Sequence, residues 1–302
     1  MRCSNRSLAP LIAALLPVLF ALTGCTTNPA TGAKSFTLLS WEEEKQMGAQ
    51  AAAGLAEQFG GEVGDTISSD YVREVGQKLL TGIEPGVPDL DWEFTLLNDD
   101  LINAFALPGG KVYITRGLAE KLENEAEMAG VLGHEIGHVT ARHGNQRISK
   151  QIGFNAVLGA AAVVVGTSSS DSDLRKYGQV GLPAMAIGGN VVLLKYGRDE
   201  ESQADMLGLR YMSRAGYDPI AQQRVMEVLL EASQGGARQP EWLSTHPYPE
   251  TRIERVKALL REQYPDRANN PNYELYAARY KSRMLDRLAT LPPPPKTQAD
   301  GN

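Results

Sequence analysis

The chain has 302 residues, of which 42% are hydrophobic and 22% are charged, so its composition is that of a globular protein and excludes global disorder. Its net charge of −6, without a basic block, argues against a nucleic-acid partner. The two cysteines, Cys3 and Cys25, both lie near the N-terminus, which excludes a disulfide framework and a cysteine-rich zinc site.

The first 24 residues have the pattern of a bacterial lipoprotein signal peptide. Arg2 and Arg6 precede an apolar run over residues 8–22, which is short for a membrane-spanning helix but typical of a signal core. The run ends in Leu-Thr-Gly-Cys, the order of a lipobox, which predicts cleavage before Cys25 and a lipid on that cysteine. An ordinary secretory signal with an incidental cysteine is the alternative. Thr26 stands where an aspartate would resemble an inner-membrane retention signal, so we expect the outer membrane, on its periplasmic face.

The remaining chain is expected to form a tether, one domain and an extension. An Asn-Pro pair and a glycine favour turns, so residues 25–40 are interpreted as a lipidated tether. The domain is predicted over 41–265. Residues 266–302 are predicted as a C-terminal extension, whose proline-rich part from Leu291 is expected to be disordered.

Within the domain, hydrophobic periodicity and capping signals predict helices around a few strands. Ser40 and Glu43 form a capping box that begins a helix to about residue 59. Gly144 is expected to end the helix that carries the strongest motif. The predicted elements that follow the first helix are a helix over 69–80, a strand over 92–97, an extended segment and turn over 103–110, a strand over 111–115, and helices over 123–142, 199–214, from 218, and over 249–260.

The segment 152–194 admits two interpretations. Its two apolar runs, over 152–166 and 180–194, are separated by charged residues, as in a transmembrane hairpin. Each run is shorter than the roughly 20 residues that a membrane span needs, and polar residues and a proline interrupt them. We therefore favour buried helices or a mobile flap over a hairpin.

The strongest chemical signal is the sequence His-Glu-Ile-Gly-His at residues 134–138. Residues four apart share one face of a helix, so His134 and His138 can both reach one metal ion. Glu135 points in a different direction around the helix axis, from which it can face a metal-bound water. The alternative, two histidines satisfied in a core, is disfavoured because a buried pair without a metal is costly.

A third ligand is expected from a second helix. Glu201 and Asp205 are also four residues apart, and a carboxylate at Asp205 can accept the second N–H of a ligand histidine. The alternative is that these acids only stabilise the start of a solvent-exposed helix. That explains the neighbouring acidic residues but not Asp205, which lies among apolar residues. His143 is expected near the C-terminal dipole of the first motif helix rather than on the metal.

These motifs carry a family resemblance. The segments 134–138 and 201–205 resemble the HExxH and ExxAD signatures of the gluzincin peptidase family that includes HtpX and the CAAX prenyl proteases. Residues 103–110 resemble its active-site edge strand, and 245–253 resemble its C-terminal motif. The resemblance implies an α+β fold, mostly helical and of the zincin type, with a small sheet whose edge strand lines the active site. The lipobox makes the lipid-anchored members most similar.

The resemblance also implies a site and a mechanism. One Zn²⁺ per chain would be bound by His134, His138 and Glu201, with Glu135 as the general base and Asp205 behind the ligands.

Two further groups of residues are implied for the substrate. His246 and Arg252 are candidates to stabilise the oxyanion. A peptide is expected to add as a strand along Asn103, Ala104 and Phe105, although Asn103 is equally explained as a turn former.

The sequence therefore predicts a lipid-anchored periplasmic zinc metalloendopeptidase that hydrolyses misfolded or unassembled envelope proteins. Two alternatives stay open: an outer-membrane assembly factor or chaperone with little turnover, and an inner-membrane protease with a hairpin over 152–194. His246 has two hypotheses as well. It is either a reversible fourth ligand that keeps the enzyme latent, or a loop histidine packed on Trp242 or Tyr248.

Overall fold

The computed structural model of the chain describes residues 25–164, 195–235, 240–247 and 249–295. These residues form a mostly helical α+β fold with two small sheets, as predicted. The strands are β1 (Cys25–Thr27), β2 (Lys34–Phe36), β3 (Glu93–Leu97), β4 (Ala104–Leu107) and β5 (Lys111–Thr115). The helices are α1 (Trp41–Gln58), α2 (Thr66–Leu80), α3 (Arg116–Ala119), α4 (Glu125–Thr140), α5 (His143–Val164), α6 (Arg198–Arg214), α7 (Ile220–Gly235), α8 (Glu241–Thr245), α9 (Pro249–Gln263), α10 (Ala277–Tyr280) and α11 (Asp286–Leu288).

The larger sheet has the order β3-β5-β4. Its centre, β5, is buried along its whole length, pairs in parallel with β3, and pairs antiparallel with β4. Because β4 lies at the edge of this sheet, one side of its backbone has no partner strand among the described residues.

The core is built around α4, every residue of which is buried. Helix α6 crosses α4 at close range because glycines face each other at the contact. A Cβ at Gly137 would lie 3.0 Å from the Ala204 carbonyl oxygen, and one at Gly208 would lie 3.1 Å from the His134 amide nitrogen. This approach brings the two sequence motifs, one on each helix, into contact.

The end of α4 differs from the prediction. The helix ends at Thr140, and Arg142 has a φ of 60°, which turns the chain into α5. Gly144 lies inside the first turn of α5 rather than at a helix end, so the expected terminator is wrong. The reversal falls on Arg142 because its side chain is held by Glu44, with an Nε–Oε1 distance of 2.7 Å, and by the carbonyl of Leu39.

The segment before α1 is attached to the domain, not a free tether. Strands β1 and β2 form a hairpin, and the Asn28 side chain donates to the Thr140 carbonyl at 2.9 Å. The Leu38 amide donates to the Ser149 hydroxyl at 2.7 Å. The turn residues that suggested a linker instead close this hairpin, with Gly32 at a φ of 69°.

The C-terminal extension is also docked on the core. Tyr280, Met284 and Leu288 are fully buried, although no clear helix was predicted beyond residue 260. Leu291 packs against the same core, and the Pro292 carbonyl accepts a hydrogen bond from Arg116 at 2.7 Å. Disorder beginning at Leu291 is therefore wrong for residues 291–295, and the rest of the predicted tail lies outside the described residues.

Of the segment 152–194, the structure describes residues 152–164 as the second half of α5, and 165–194 lie outside the described residues. Among the helices that are described, none has the length and apolar character needed to cross a membrane.

Candidate metal centre

Four side chains converge at the contact between α4, α6 and the segment after α8. His134, His138, Glu201 and His246 each bring one ligand atom within 4.8 Å of the others, and all four are buried. The Nε2 atoms of His134 and His138 lie 3.0 Å apart. The Nδ1 atom of His246 lies 3.2 Å from the Nε2 atom of His134 and 3.0 Å from the Oε1 atom of Glu201.

This donor set fits a four-coordinate metal ion. A tetrahedral ion with bonds of about 2 Å holds its ligand atoms about 3.3 Å apart, close to the distances found here. Imidazole nitrogens and a carboxylate are the donors that zinc takes in proteins. The predicted ligands His134, His138 and Glu201 are thus brought together, and His246 joins them as a fourth donor.

The orientation of His134 is fixed from behind by Asp205. Nδ1 of His134 lies 3.0 Å from Oδ1 of Asp205, so the ring donates its Nδ1 proton to the carboxylate and directs Nε2 into the cluster. Asp205 is fully buried and is held in turn by Arg252. This is the arrangement predicted from the spacing of Glu201 and Asp205.

The orientation of His138 depends on two residues for which the sequence suggested no such role. Nδ1 of His143 lies 2.9 Å from Nδ1 of His138, and Nε2 of His143 lies 3.2 Å from Oε1 of Gln203. Since the amide oxygen only accepts, His143 donates from Nε2 and accepts at Nδ1. His138 must then donate from Nδ1, which leaves its Nε2 lone pair facing the cluster. The predicted dipole role of His143 is therefore wrong, because it begins α5 and is buried behind His138.

Arg252 is part of the site and lies against two of its carboxylates. Its Nη1 atom lies 2.7 Å from Oε2 of Glu201, and its Nε and Nη2 atoms donate to Asp205 at 2.9 and 2.6 Å. The guanidinium is fully buried between these carboxylates. The contacts favour a positioning role over the predicted role at the oxyanion.

The charges around the cluster suit a cation. Burial raises the pKa of Glu201, but Arg252 and His246 outweigh it and hold that pKa well below its usual range. Burial lowers the pKa of His138 well below its usual range and that of His143 to about 4, so both rings are neutral at pH 7. Burial and Arg252 lower the pKa of His134, but hydrogen bonds to Asp205 and Glu201 outweigh them and raise it to about 9. A bound cation would displace that proton.

Glu135 lies beside the cluster, in contact with the α8 segment. Its Oε1 atom accepts a hydrogen bond from the indole N–H of Trp242 at 3.1 Å and lies 3.5 Å from Nε2 of His246. The Trp242 ring stacks on the His246 ring with centroids 4.6 Å apart and an interplanar angle of 21°. Both contacts considered for His246, the ligand cluster and Trp242, are therefore made at once.

Tyr196 completes the wall of the site opposite Trp242. Its ring lies 3.8 Å from the ring of His138 and 5.1 Å from that of His246, between centroids. Its amide donates to the Thr245 carbonyl at 2.8 Å. A small cavity beside it is bounded by Ala106, Leu107 and Pro108 of the edge-strand hairpin, so Tyr196 lies between the metal cluster and the sheet edge.

The edge strand presents different groups from those predicted. Asn103 and Thr115 form a hydrogen-bonded pair, with the Thr115 amide donating to the Asn103 carbonyl at 3.0 Å. Because such pairs alternate, Phe105 also points its backbone groups toward β5, whereas Ala104 and Ala106 point theirs toward the free side. The Phe105 side chain packs against Phe59 and Tyr113 in a separate apolar cluster. Of the three residues predicted to bind substrate, Ala104 points its backbone groups away from β5, and its side chain and main chain are buried.

The fold and the site together define a zincin-like metallopeptidase domain. The sequence model of Peptidase family M48 matches residues 67–260, more than half of the chain. The chain belongs to this family, which confirms the resemblance carried by its motifs.

Individual relatives are similar over most of this chain. A beta-barrel assembly-enhancing protease of Escherichia coli K12 is 28% identical over 247 residues, covering 79% of this chain and 48% of the relative. A mitochondrial metalloendopeptidase OMA1 of Schizosaccharomyces pombe is 29% identical over 247 residues, covering 81% of this chain and 69% of the relative. A protein of the same name from Saccharomyces cerevisiae is 32% identical over 192 residues, covering 62% of this chain and 50% of the relative. The chain spans about half the length of the bacterial relative.

Proposed function

We propose that the chain is a zinc metalloendopeptidase. The observation that carries this proposal is the cluster of His134, His138, Glu201 and His246 with the carboxylate of Glu135 beside it. A purely structural zinc site needs four ligands but has no use for a fifth, unligated carboxylate at its border. Membership of Peptidase family M48 and the names of the relatives support the same activity.

In the proposed reaction His134, His138 and Glu201 hold zinc, while Asp205, His143 and Arg252 orient those ligands. Zinc held there would lower the pKa of the attacking water to about 7 and polarise the scissile carbonyl. Glu135 takes a proton from the attacking water and delivers it to the nitrogen of the leaving amine. Burial of the whole cluster excludes bulk water and strengthens each of these electrostatic interactions.

His246 is proposed to close the site in the resting enzyme. Its Nδ1 atom lies close to His134 Nε2 and Glu201 Oε1, where it would occupy the fourth position that a catalytic zinc keeps for water or substrate. Substrate would have to displace it. The ring follows the short helix α8 and precedes Pro247, so a shift of this segment is enough to move it.

The substrate is proposed to be a polypeptide bound in extended form. Ala104 and Ala106 point their backbone groups away from β5, and pairing with such groups recognises the main chain rather than particular side chains. Such a site suits proteins that expose extended segments, including misfolded or unassembled ones. The name of the bacterial relatives, which refers to β-barrel assembly, supports envelope proteins as substrates.

The protein is proposed to be a lipoprotein of the outer membrane, facing the periplasm, with its lipid on Cys25. The order of positive residues, apolar run and lipobox supports this location. Docking of residues 28–39 on the domain would then hold the catalytic core near the membrane surface.

The proposal is tested on the purified full chain by measuring bound zinc together with casein hydrolysis. We expect about one zinc per chain, loss of hydrolysis with 1,10-phenanthroline, and recovery when zinc is added back. Hydrolysis that persists after the metal has been removed would refute a zinc-dependent mechanism.

A further inference from the structure

Trp242 makes three separate contacts with the proposed catalytic machinery. Its indole N–H donates to Oε1 of Glu135 at 3.1 Å, its ring stacks on His246, and its backbone amide donates to the Ile102 carbonyl at 3.2 Å. The side chain is fully buried. One residue thus contacts the base, the fourth donor and the segment that leads into the edge strand.

The backbone contact anchors Trp242 to the sheet. Ile102 comes two residues before Ala104, the first residue of β4, and its carbonyl is satisfied by Trp242. Arg252 lies over the other part of the indole, with its guanidinium carbon 4.8 Å from the ring centroid. These contacts hold the indole from the sheet side and from α9.

The contact with Glu135 is one-sided. The indole N–H binds Oε1, and no hydrogen-bond partner of Oε2 is found among the side chains that the structure describes. A fixed donor on one oxygen holds the carboxylate in a single orientation. The other oxygen can then accept a hydrogen bond from a second donor. For a general base, that donor is the attacking water.

We propose that Trp242 is a positioning residue for the general base. On the proposed peptidase function, on which this inference rests, its N–H holds the Glu135 carboxylate so that Oε2 faces the water to be deprotonated. Orientation of a reacting group by a fixed neighbour lowers the barrier without changing how tightly substrate binds. The alternative is that the indole N–H only satisfies its own hydrogen bond in a buried place.

The two explanations differ in what the loss of the N–H changes. Trp242→Phe keeps an aromatic ring for stacking on His246 but removes the donor. We expect kcat on casein peptides to fall about 10–100-fold, the effect of losing a hydrogen bond to a charged group, with KM and bound zinc unchanged. Trp92→Phe is the matched control and should keep full activity, because Trp92 stacks on Phe94 beside Gly110, at the far end of β5.

Packing defects are separated from the loss of the donor by a second variant. Replacing Trp242 with 3-benzothienylalanine keeps the shape of the bicyclic ring and removes only the N–H. The same loss of kcat is expected. A kcat within twofold of that of the unmodified protein would overturn the proposal, even if Trp242→Phe were unstable.

A spectroscopic measurement tests the contact without activity. The indole N–H resonance that disappears in Trp242→Phe should shift in Glu135→Ala, while those of Trp41 and Trp92 stay in place. An unchanged Trp242 resonance would overturn the proposal. Glu135→Gln distinguishes failure of the peptidase mechanism from failure of the role of Trp242. If Glu135→Gln retains activity, the peptidase mechanism is wrong. If Glu135→Gln is inactive while Trp242→Phe is fully active, only the role of Trp242 is wrong.

Discussion

At the scale of single residues, His143 shows how a candidate ligand histidine is oriented. It is fully buried and connects Nδ1 of His138 to the amide oxygen of Gln203. Without it, His138 can adopt the tautomer whose Nε2 carries the proton, and that nitrogen cannot ligate.

His143→Phe is therefore expected to lower zinc affinity about 10–100-fold, the usual effect of removing a group that orients a ligand. Competition with a zinc chelator measures it. Gln203→Leu should act in the same direction, because it removes the acceptor that fixes the His143 tautomer. Wild-type zinc affinity in both variants would show that His138 is oriented without them.

His246→Ala tests the resting state. If His246 takes the position that substrate needs, its removal should increase the basal rate of casein hydrolysis severalfold and weaken zinc binding, since one of four donors is lost. A decreased rate with unchanged zinc affinity would instead assign His246 to stabilisation of the oxyanion.

The sequence could predict most of the cluster but not its surroundings. Helical spacing brings His134 to His138 and Glu201 to Asp205, because residues four apart share a face. Trp242 and Tyr196 come from segments that only the tertiary structure brings to the cluster. Gln203 lies within the second motif, but its contact with His143 depends on how α5 and α6 pack. Arg252 was found by resemblance, but only its contacts with Glu201 and Asp205 show what it does.

At the scale of secondary-structure elements, α2 is stabilised at its start by a carboxylate that both caps the helix and forms an ion pair. Asp65 is the N-cap of α2, accepting from the Ser68 amide at 2.9 Å, and it also pairs with Arg287 of α11. Through this residue the extension at the C-terminus is attached to the start of α2.

Asp65→Ala should lower the free energy of unfolding by about 1 kcal/mol or more at pH 7, since a helix cap is lost together with the ion pair. The hydrogen bond with Arg287 lowers the pKa of Asp65 from 3.8 to about 2. The stabilisation is therefore complete above about pH 4 and is lost as pH falls through about 2. Urea unfolding at pH 7 and pH 3 measures the change, which should be smaller at pH 3.

Asp70→Ala is the matched control. Asp70 also lies on α2, but it is exposed, and its ion pair is with Arg73 on the same helix. Its removal should change the free energy of unfolding by less than about 0.5 kcal/mol. Equal changes in the free energy of unfolding for the two substitutions would show that the helix cap and ion pair of Asp65 contribute nothing beyond a surface charge.

The presence and type of the regular elements could be predicted from the sequence more closely than the turns and connections between them. The strand over 111–115 and the helix that reaches Leu80 were predicted because their apolar residues repeat with the period of each structure. The reversal at Arg142 was not, because it depends on Glu44 and Leu39, about 100 residues earlier in the chain. The same holds for residues 277–288, whose helical turns are stabilised by tertiary packing on α2 and α3.

At the scale of the whole molecule, the family M48 domain follows the cysteine that we propose as the lipid anchor. Residues 28–39 bind α4 and α5 directly, so little free chain separates Cys25 from the folded domain. A lipid on Cys25 would hold the protein at the membrane surface.

Cys25→Ser is expected to release the protein from membranes, because the residue proposed to carry the lipid is lost. Fractionation of cell envelopes before and after a high-salt wash measures this. A variant that still floats with membranes after the wash would assign the anchor to another part of the chain.

The most direct test of the central claim is Glu135→Gln, which keeps the size of the side chain and removes its basicity. Bound zinc and casein hydrolysis are measured on the same preparation as for the wild-type chain. The account predicts about one zinc per chain in both proteins and a decrease of at least about 100-fold in the rate of hydrolysis, because only the general base is lost. Hydrolysis within a few-fold of wild type, at full zinc occupancy, would contradict it.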